Sequence, residues 1–255
     1  MNIFLIALNT FRAAIRNRLL YSVLFFTVLL IAVSALFGSV SIGSQINIII
    51  DFGLFSLSFF GAVAATIIGV GLLEVEIKYK TIYNILSKPV ERYEFVAGKW
   101  LGALMTVYSL MTLMGIIIIA FASIFSGSVD TNLFPALLLS MLEVTVVTSV
   151  TVFFSSVVIT TTLAGLFTFG FYLAGRSVNY LEYFLSSDSS PLIRQFTGLL
   201  SWILPDLTLF DVTSTVVNGQ PISFSYLIFC ATYAACYSLA ALILSCVIFN
   251  RRELV

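Results

Sequence analysis

The chain has 255 residues, 60% of them hydrophobic and only 9% charged, with twelve basic residues balancing twelve acidic ones. At a mean hydropathy of +1.11, this composition excludes an ordinary soluble domain, and no nucleic-acid partner is expected. It calls for an all-α integral membrane protein, because a segment in lipid must satisfy its own backbone hydrogen bonds and no strand-length alternation of polar and apolar residues is evident.

In chain order, the first expected element is an amphipathic helix over residues 1–18. Phe4, Leu8, Phe11 and Ile15 recur at spacings of four, three and four, with Asn9, Arg12 and Arg16 toward the other face. Such a helix lies in the membrane interface with its arginines toward lipid phosphates. The competing reading is an extension of the first span. Six apolar runs follow, at 19–42, 52–73, 100–125, 133–154, 157–175 and 222–249, each near the ~20 residues a helix needs to cross hydrocarbon. Val33-Ser34-Ala35 has the small residues of a signal-cleavage site, but the run is long for a signal peptide and an uncleaved first span is favoured.

Six spans place both termini on one side. Arg12, Arg16 and Arg18, then Lys78, Lys80, Lys88, Arg92 and Lys99, then Arg251 and Arg252 all fall on that side, against Arg176 and Arg194 on the other. Basic loops stay in the cytoplasm, so both termini are expected there, in the cell inner (cytoplasmic) membrane. The fourth and fifth spans are separated only by uncharged residues within 155–162. Merged, they would be too long for a bilayer and would reverse Arg251 and Arg252, so a tight turn near Ile159 is expected.

The cytoplasmic segment carries a second amphipathic pattern on a helix spanning 76–87: Tyr79, Ile82, Tyr83 and Leu86, at i, i+3, i+4 and i+7. Pro89 ends it, and a new helix is expected from about Val90, with Glu91 and Glu94 in its first turns. The apolar stripe either packs beneath its own spans or enters a groove on a partner. Across the membrane, the loop 177–221 holds a helix opening at Pro191, with Leu192, Phe196, Leu199, Ile203 and Leu207 on one face and Pro205 stopping or bending it before the last.

The chain has no histidine, which removes the commonest general base and metal ligand. Cys230, Cys236 and Cys246 all lie in the sixth span, form no CxxC and read as packing residues. No phosphate loop, GxGxxG turn or nucleophile elbow is present, so no catalytic residue, metal site or nucleotide site is expected. Glu143 is the acidic residue well inside a span, where charge is costly and usually functional. A hairpin turning near Ile159 sets position 143 level with about 175, within reach of Tyr172 and Arg176. Glu143 then either pairs with Arg176 or is protonated or hydrogen-bonded to a nearby Thr or Ser.

The stretch EVEIKYKTIYNILSKPVERYEFVAGKWL, residues 74–101, resembles the segment joining the second and third spans of type-two ABC-transporter permeases. That pattern has an acidic residue leaving the second span, a Thr-Ile-x-x-Leu-like helix, Ser-Lys-Pro-Val-x-Arg, and Gly-Lys entering the third span. Here these are Glu74 or Glu76, residues 81–86, residues 87–92, and Gly98 with Lys99; Leu86 follows Ile82 by four residues rather than three. The similarity covers nearly the whole chain, including Leu204-Pro205-Asp206-Leu207 before the last span, and is greatest to permeases grouped with copper-enzyme maturation systems.

The resemblance implies that 76–87 is a coupling helix, docking into a separate ABC ATP-binding subunit through Glu76, Tyr79, Lys80, Ile82, Tyr83, Leu86 and Ser87. It implies two permease copies as a homodimer, two ATPase copies, ATP and Mg in the partner, and no cofactor in this chain. Export is favoured by the resemblance alone. Glu143, Tyr172 and Arg176 match no family motif and stand as candidates for a translocation path. The alternatives are an ion-coupled secondary transporter, which needs more intramembrane charge and broken helices, and a membrane-embedded enzyme, against which the missing histidine and carboxylate cluster count.

Overall fold

A computed structural model describes residues 2–40, 45–78, 91–126, 132–158, 160–179, 198 and 204–251. Among them the chain is helical with no strand: α1 Asn2–Ile15, α2 Arg18–Val40, α3 Gln45–Lys78, α4 Arg92–Ser126, α5 Leu133–Val157, α6 Thr161–Arg176, a 3-10 turn Leu207–Phe210, α7 Thr213–Val217 and α8 Phe224–Arg251. Helices α2, α3, α4, α5 and α8 are long and apolar enough to cross a membrane. The 16 residues of α6 rise about 24 Å, short of the ~30 Å hydrocarbon core.

Several expected boundaries shift. Helix α3 begins at Gln45 rather than 52, because Asp51 is exposed near the helix end, where a charge need not enter hydrocarbon. At its other end α3 runs on to Lys78, so the backbone of Glu76 belongs to α3. Helix α4 starts at Arg92, leaving Glu91 just outside it with its carbonyl accepting from Phe95 N (3.2 Å). Helix α6 starts at Thr161, after extended backbone at Val158 and Thr160. Leu207 is not on a helix with the residues upstream of it: after Pro205 it opens the separate 3-10 turn. Residues 79–90, which carry most of the expected docking face, and 180–197, which carry Pro191, lie outside the described residues.

The bundle is built on α3 and α5, which pack on each other and gather the other helices around them. Their contact follows from small residues every fourth position on α3, Gly61, Ala65 and Gly69, which let two backbones approach closely. A Cβ at Gly69 would meet Thr151 Cγ2 at 2.6 Å. Helix α5 also packs against α8, α6 and α4, and its residues from Glu143 to Val152 are almost all buried. Most of its hydroxyls are satisfied along their own helix, as Thr148 Oγ1 donates to Val144 O (2.7 Å) and Thr151 Oγ1 to Val147 O (2.7 Å), while Ser155 Oγ donates across to Val70 O of α3 (3.2 Å). Gly69→Leu should therefore force α3 from α5 and lower the thermal midpoint in detergent by an amount equivalent to about 1–3 kcal/mol. An unchanged midpoint would remove this contact from the account.

The residues 16–17 break α1 from α2, so the N-terminal segment is a separate helix. It lies along α4. Gly98 and Gly102, four apart on α4, form the seat: a Cβ at Gly98 would meet Ile6 Cβ at 2.8 Å, and one at Gly102 would meet Thr10 Cβ at 2.5 Å and Ala7 O at 2.6 Å. Of the stripe beginning at Phe4, Phe4 and Ile15 are exposed and Leu8 and Phe11 half-buried, while Ile3, Ile6, Ala7 and Thr10 meet the glycine seat.

Candidate functional site

Glu143 sits mid-way along α5 and is 1% exposed. Carboxylates are seldom buried so deeply unless paired, and two elements supply partners. Ser58 of α3 donates its hydroxyl to Glu143 Oε2. Arg176, the last residue of α6, brings Nε to 3.5 Å from Glu143 Oε1. That oxygen has no hydrogen bond, so it is held by the guanidinium's charge alone. Both the ion pair and a serine hydrogen bond are present, and the two sequence-based options for Glu143 are not mutually exclusive.

Arg176 is shared. Its other arm donates from Nη1 to Asp211 Oδ2 at 3.1 Å, so one guanidinium stands between a buried carboxylate and a half-exposed one. Tyr172, one turn earlier on α6, is 3% exposed and lies within electrostatic reach of Glu143 and Arg176. The structure therefore brings together Glu143, Tyr172 and Arg176, and adds Ser58 and Asp211.

Asp211 is set in place by local turn chemistry. Two Asp-x-Thr steps occur five residues apart: Asp206 Oδ1 accepts from Thr208 N (3.0 Å), and Asp211 Oδ1 accepts from Thr213 N (3.2 Å) and Thr213 Oγ1 (2.7 Å). Each side chain closes the turn ahead of it. The segment is then tied to α8, where Tyr226 OH donates to Leu209 O (2.5 Å) and Tyr233 OH accepts from Asp206 N (2.9 Å). It rests on α6 at Gly175, whose Cβ would meet Pro205 O at 2.9 Å. Repeated Asp-x-Thr was a legible turn signal in the sequence. Nothing in the sequence singled out Ser58, a serine among phenylalanines.

Beside Arg176, near the start of α3, lies an open cavity of about 700 Å³ bordered by Asn47, Asp51, Arg176, Asp211, Ser214 and Asn218. Below it, Ser58, Ser140, Glu143, Arg176 and Asp211 enclose a space of about 10 Å³, room for about one water. Arg176 borders both. Its guanidinium stands between the open cavity and the buried carboxylate, and through it the cluster ties α5 and α6 to the segment that carries Asp211. Among the described residues, no group of three or more Cys, Asp or Glu is placed to hold a metal. The three cysteines are unpaired with one another.

Of the expected docking residues, Tyr79, Lys80, Ile82, Tyr83, Leu86 and Ser87 lie outside the described residues, and of Glu76 only the helical backbone is described. Residues 4–254 match the family model described as ABC-2 family transporter protein. No curated protein matches the chain.

Proposed function

This chain belongs to the ABC-2 family of transporter proteins, and from that membership we propose that it is the membrane-spanning, non-hydrolytic half of an ATP-driven exporter. The observation that carries the proposal is the continuous family match over residues 4–254. In this reading two copies of the chain form a homodimer in the cytoplasmic membrane, each with six spans including α6. Both termini face the cytoplasm, and two ATP-binding subunits supply ATP, Mg and hydrolysis. The segment 76–87 is the coupling helix that receives them.

Two features of the bundle support such coupling. Helices α3 and α4 flank residues 79–90 and, at 34 and 35 residues, extend about 50 Å, so a push on that segment enters both helices directly. The start of α4 is also tied to the end of α8: Arg92 Nη1 donates to Phe249 O (3.4 Å) and Asn250 O (2.9 Å), with its charge at the negative end of the helix dipole. Movement received near Arg92 then reaches α8 as well.

Glu143, Tyr172 and Arg176 are placed on the translocation path in this proposal, at its outer end. Ser58, Glu143, Arg176 and Asp211 join four separate elements there, and an outward-open state requires α6 to part from α3 and α5. The proposal is tested by extracting the chain in mild detergent: an ABC ATP-binding subunit is expected to co-purify in equal amount. Extraction without any ATPase, under conditions that preserve the dimer, would overturn it.

A further inference from the structure

Glu143 Oε1 is buried and makes no hydrogen bond, and Glu143 lines the enclosed space of about 10 Å³ together with Ser58, Ser140, Arg176, Asp211 and Thr213. We propose that this space is a binding site for one water molecule, which donates to Glu143 Oε1. The inference goes beyond the transport reading and uses no part of it.

The balance of donors and acceptors around the space carries the proposal. Each hydroxyl on the wall has already committed its proton: Ser58 Oγ donates to Glu143 Oε2, Ser140 Oγ to Ala136 O (3.1 Å) and Thr213 Oγ1 to Asp211 Oδ1 (2.7 Å). A hydroxyl has one proton, so these oxygens offer only lone pairs, as do the carboxylates of Glu143 and Asp211. Among the described side chains on the wall, N–H donors belong to Arg176 alone. Its Nε stands 3.5 Å from Oε1, beyond the roughly 2.7–3.2 Å of a hydrogen bond. The space is therefore rich in acceptors and poor in donors.

Water answers that imbalance, with two protons to give and lone pairs to receive from the guanidinium. An anion such as chloride has no proton to donate and would meet two carboxylates. A monovalent metal ion would sit against the charge of Arg176, and Leu54, Ala136 and Phe210 on the same wall offer it no side-chain oxygen. The size agrees, because one water needs about 10–15 Å³ of such space and about two to four polar partners. With Ser58 on Oε2 and the water on Oε1, both oxygens of the carboxylate have a donor. Arg176 then supplies charge to Glu143 while its short hydrogen bond goes to Asp211 (3.1 Å).

Crystals of the full-length chain, grown with sodium and with rubidium and diffracting to a resolution that shows ordered water, test this. One water-sized peak is expected within hydrogen-bond distance of Glu143 Oε1, with no anomalous signal from rubidium. Ser140→Ala and Ser140→Val remove the same hydroxyl and differ in the room they leave, so the peak should persist in the first and vanish in the second. In detergent, Ser140→Val should melt about 2–4 °C below Ser140→Ala, the shift expected for one lost hydrogen bond in a chain of this size. Extra methyl groups in a dry space would instead raise the midpoint. An empty space in the wild-type map, a rubidium signal at the site, a peak that survives Ser140→Val, or a Ser140→Val midpoint at or above that of Ser140→Ala would overturn the proposal. If Ser140→Val does not fold, the wild-type and Ser140→Ala maps decide between a water, a cation and a dry space. None of these readouts involves an ATPase, so this proposal and the transport reading fail separately.

Discussion

Replacing Arg176 with methionine is expected to destabilise the detergent-solubilised chain by roughly 3–5 kcal/mol, because it strands a carboxylate inside the bundle. Glu143 is 1% exposed, and Ser58 can serve one of its oxygens while Arg176 stands against the other. Glu143→Gln should cost only about 1 kcal/mol, since Arg176 keeps Asp211 at 3.1 Å and its side chain is 21% exposed. The double variant, Glu143→Gln with Arg176→Met, should recover most of the loss, giving a coupling of at least about 2 kcal/mol between the two sites. Thermal midpoints of the four proteins measure this directly, and additive effects would show that the pair is not coupled. A swap of the two charges is the weaker test, because a glutamate at position 176 would face Asp211 and create a new repulsion.

The second large effect is expected at the docking segment. Tyr83→Asp together with Leu86→Asp should release the ATP-binding subunit from the detergent-solubilised complex. Burying either side chain in a partner groove is worth roughly 1.5–3 kcal/mol, and each new carboxylate adds a desolvation penalty. The summed loss lowers affinity by about a thousandfold or more. On the docking reading the two side chains serve only the partner, so the thermal midpoint of the isolated chain should not change. A complex that survives both substitutions would move the docking surface elsewhere on the chain while leaving the family membership intact.

Much of this architecture is written in the sequence because a membrane imposes few choices. The five long helices follow from apolar runs, and the turn between α5 and α6 from the length a bilayer allows. The level of Glu143 opposite Arg176 follows from counting residues down both arms of that hairpin, and the two side chains are 3.5 Å apart. Boundaries were less legible: a rule that stops a span at a charge ends α3 at Asp51, although a helix continues freely once it leaves hydrocarbon.

Partners contributed by distant segments were the least legible part. Ser58 reaches Glu143 across 85 positions of sequence, and periodicity within one helix holds no information about which face another helix will meet. Asp211 was accessible through its Asp-x-Thr turn, but only as a turn; its place over Arg176 depends on Tyr226 and Tyr233 anchoring the segment to α8. The seat for α1 was visible as Gly98 and Gly102 at a spacing of four. The aromatic stripe beginning at Phe4 drew attention to a neighbouring face of the same helix, because large side chains dominate a hydrophobic pattern while close packing depends on small ones.

The most direct test of the account places spin labels at Asn218→Cys, an exposed position beside the 700 Å³ cavity, with Cys230, Cys236 and Cys246 replaced by serine, in two copies reconstituted in vesicles with the ATP-binding subunit. ATP is expected to change the distance between the labels when that subunit is bound, and to leave it unchanged when it is removed. A distance indifferent to ATP in the intact complex, or an isolated chain that cycles between the same two distances by itself, would contradict the claim that hydrolysis in a separate subunit drives this one.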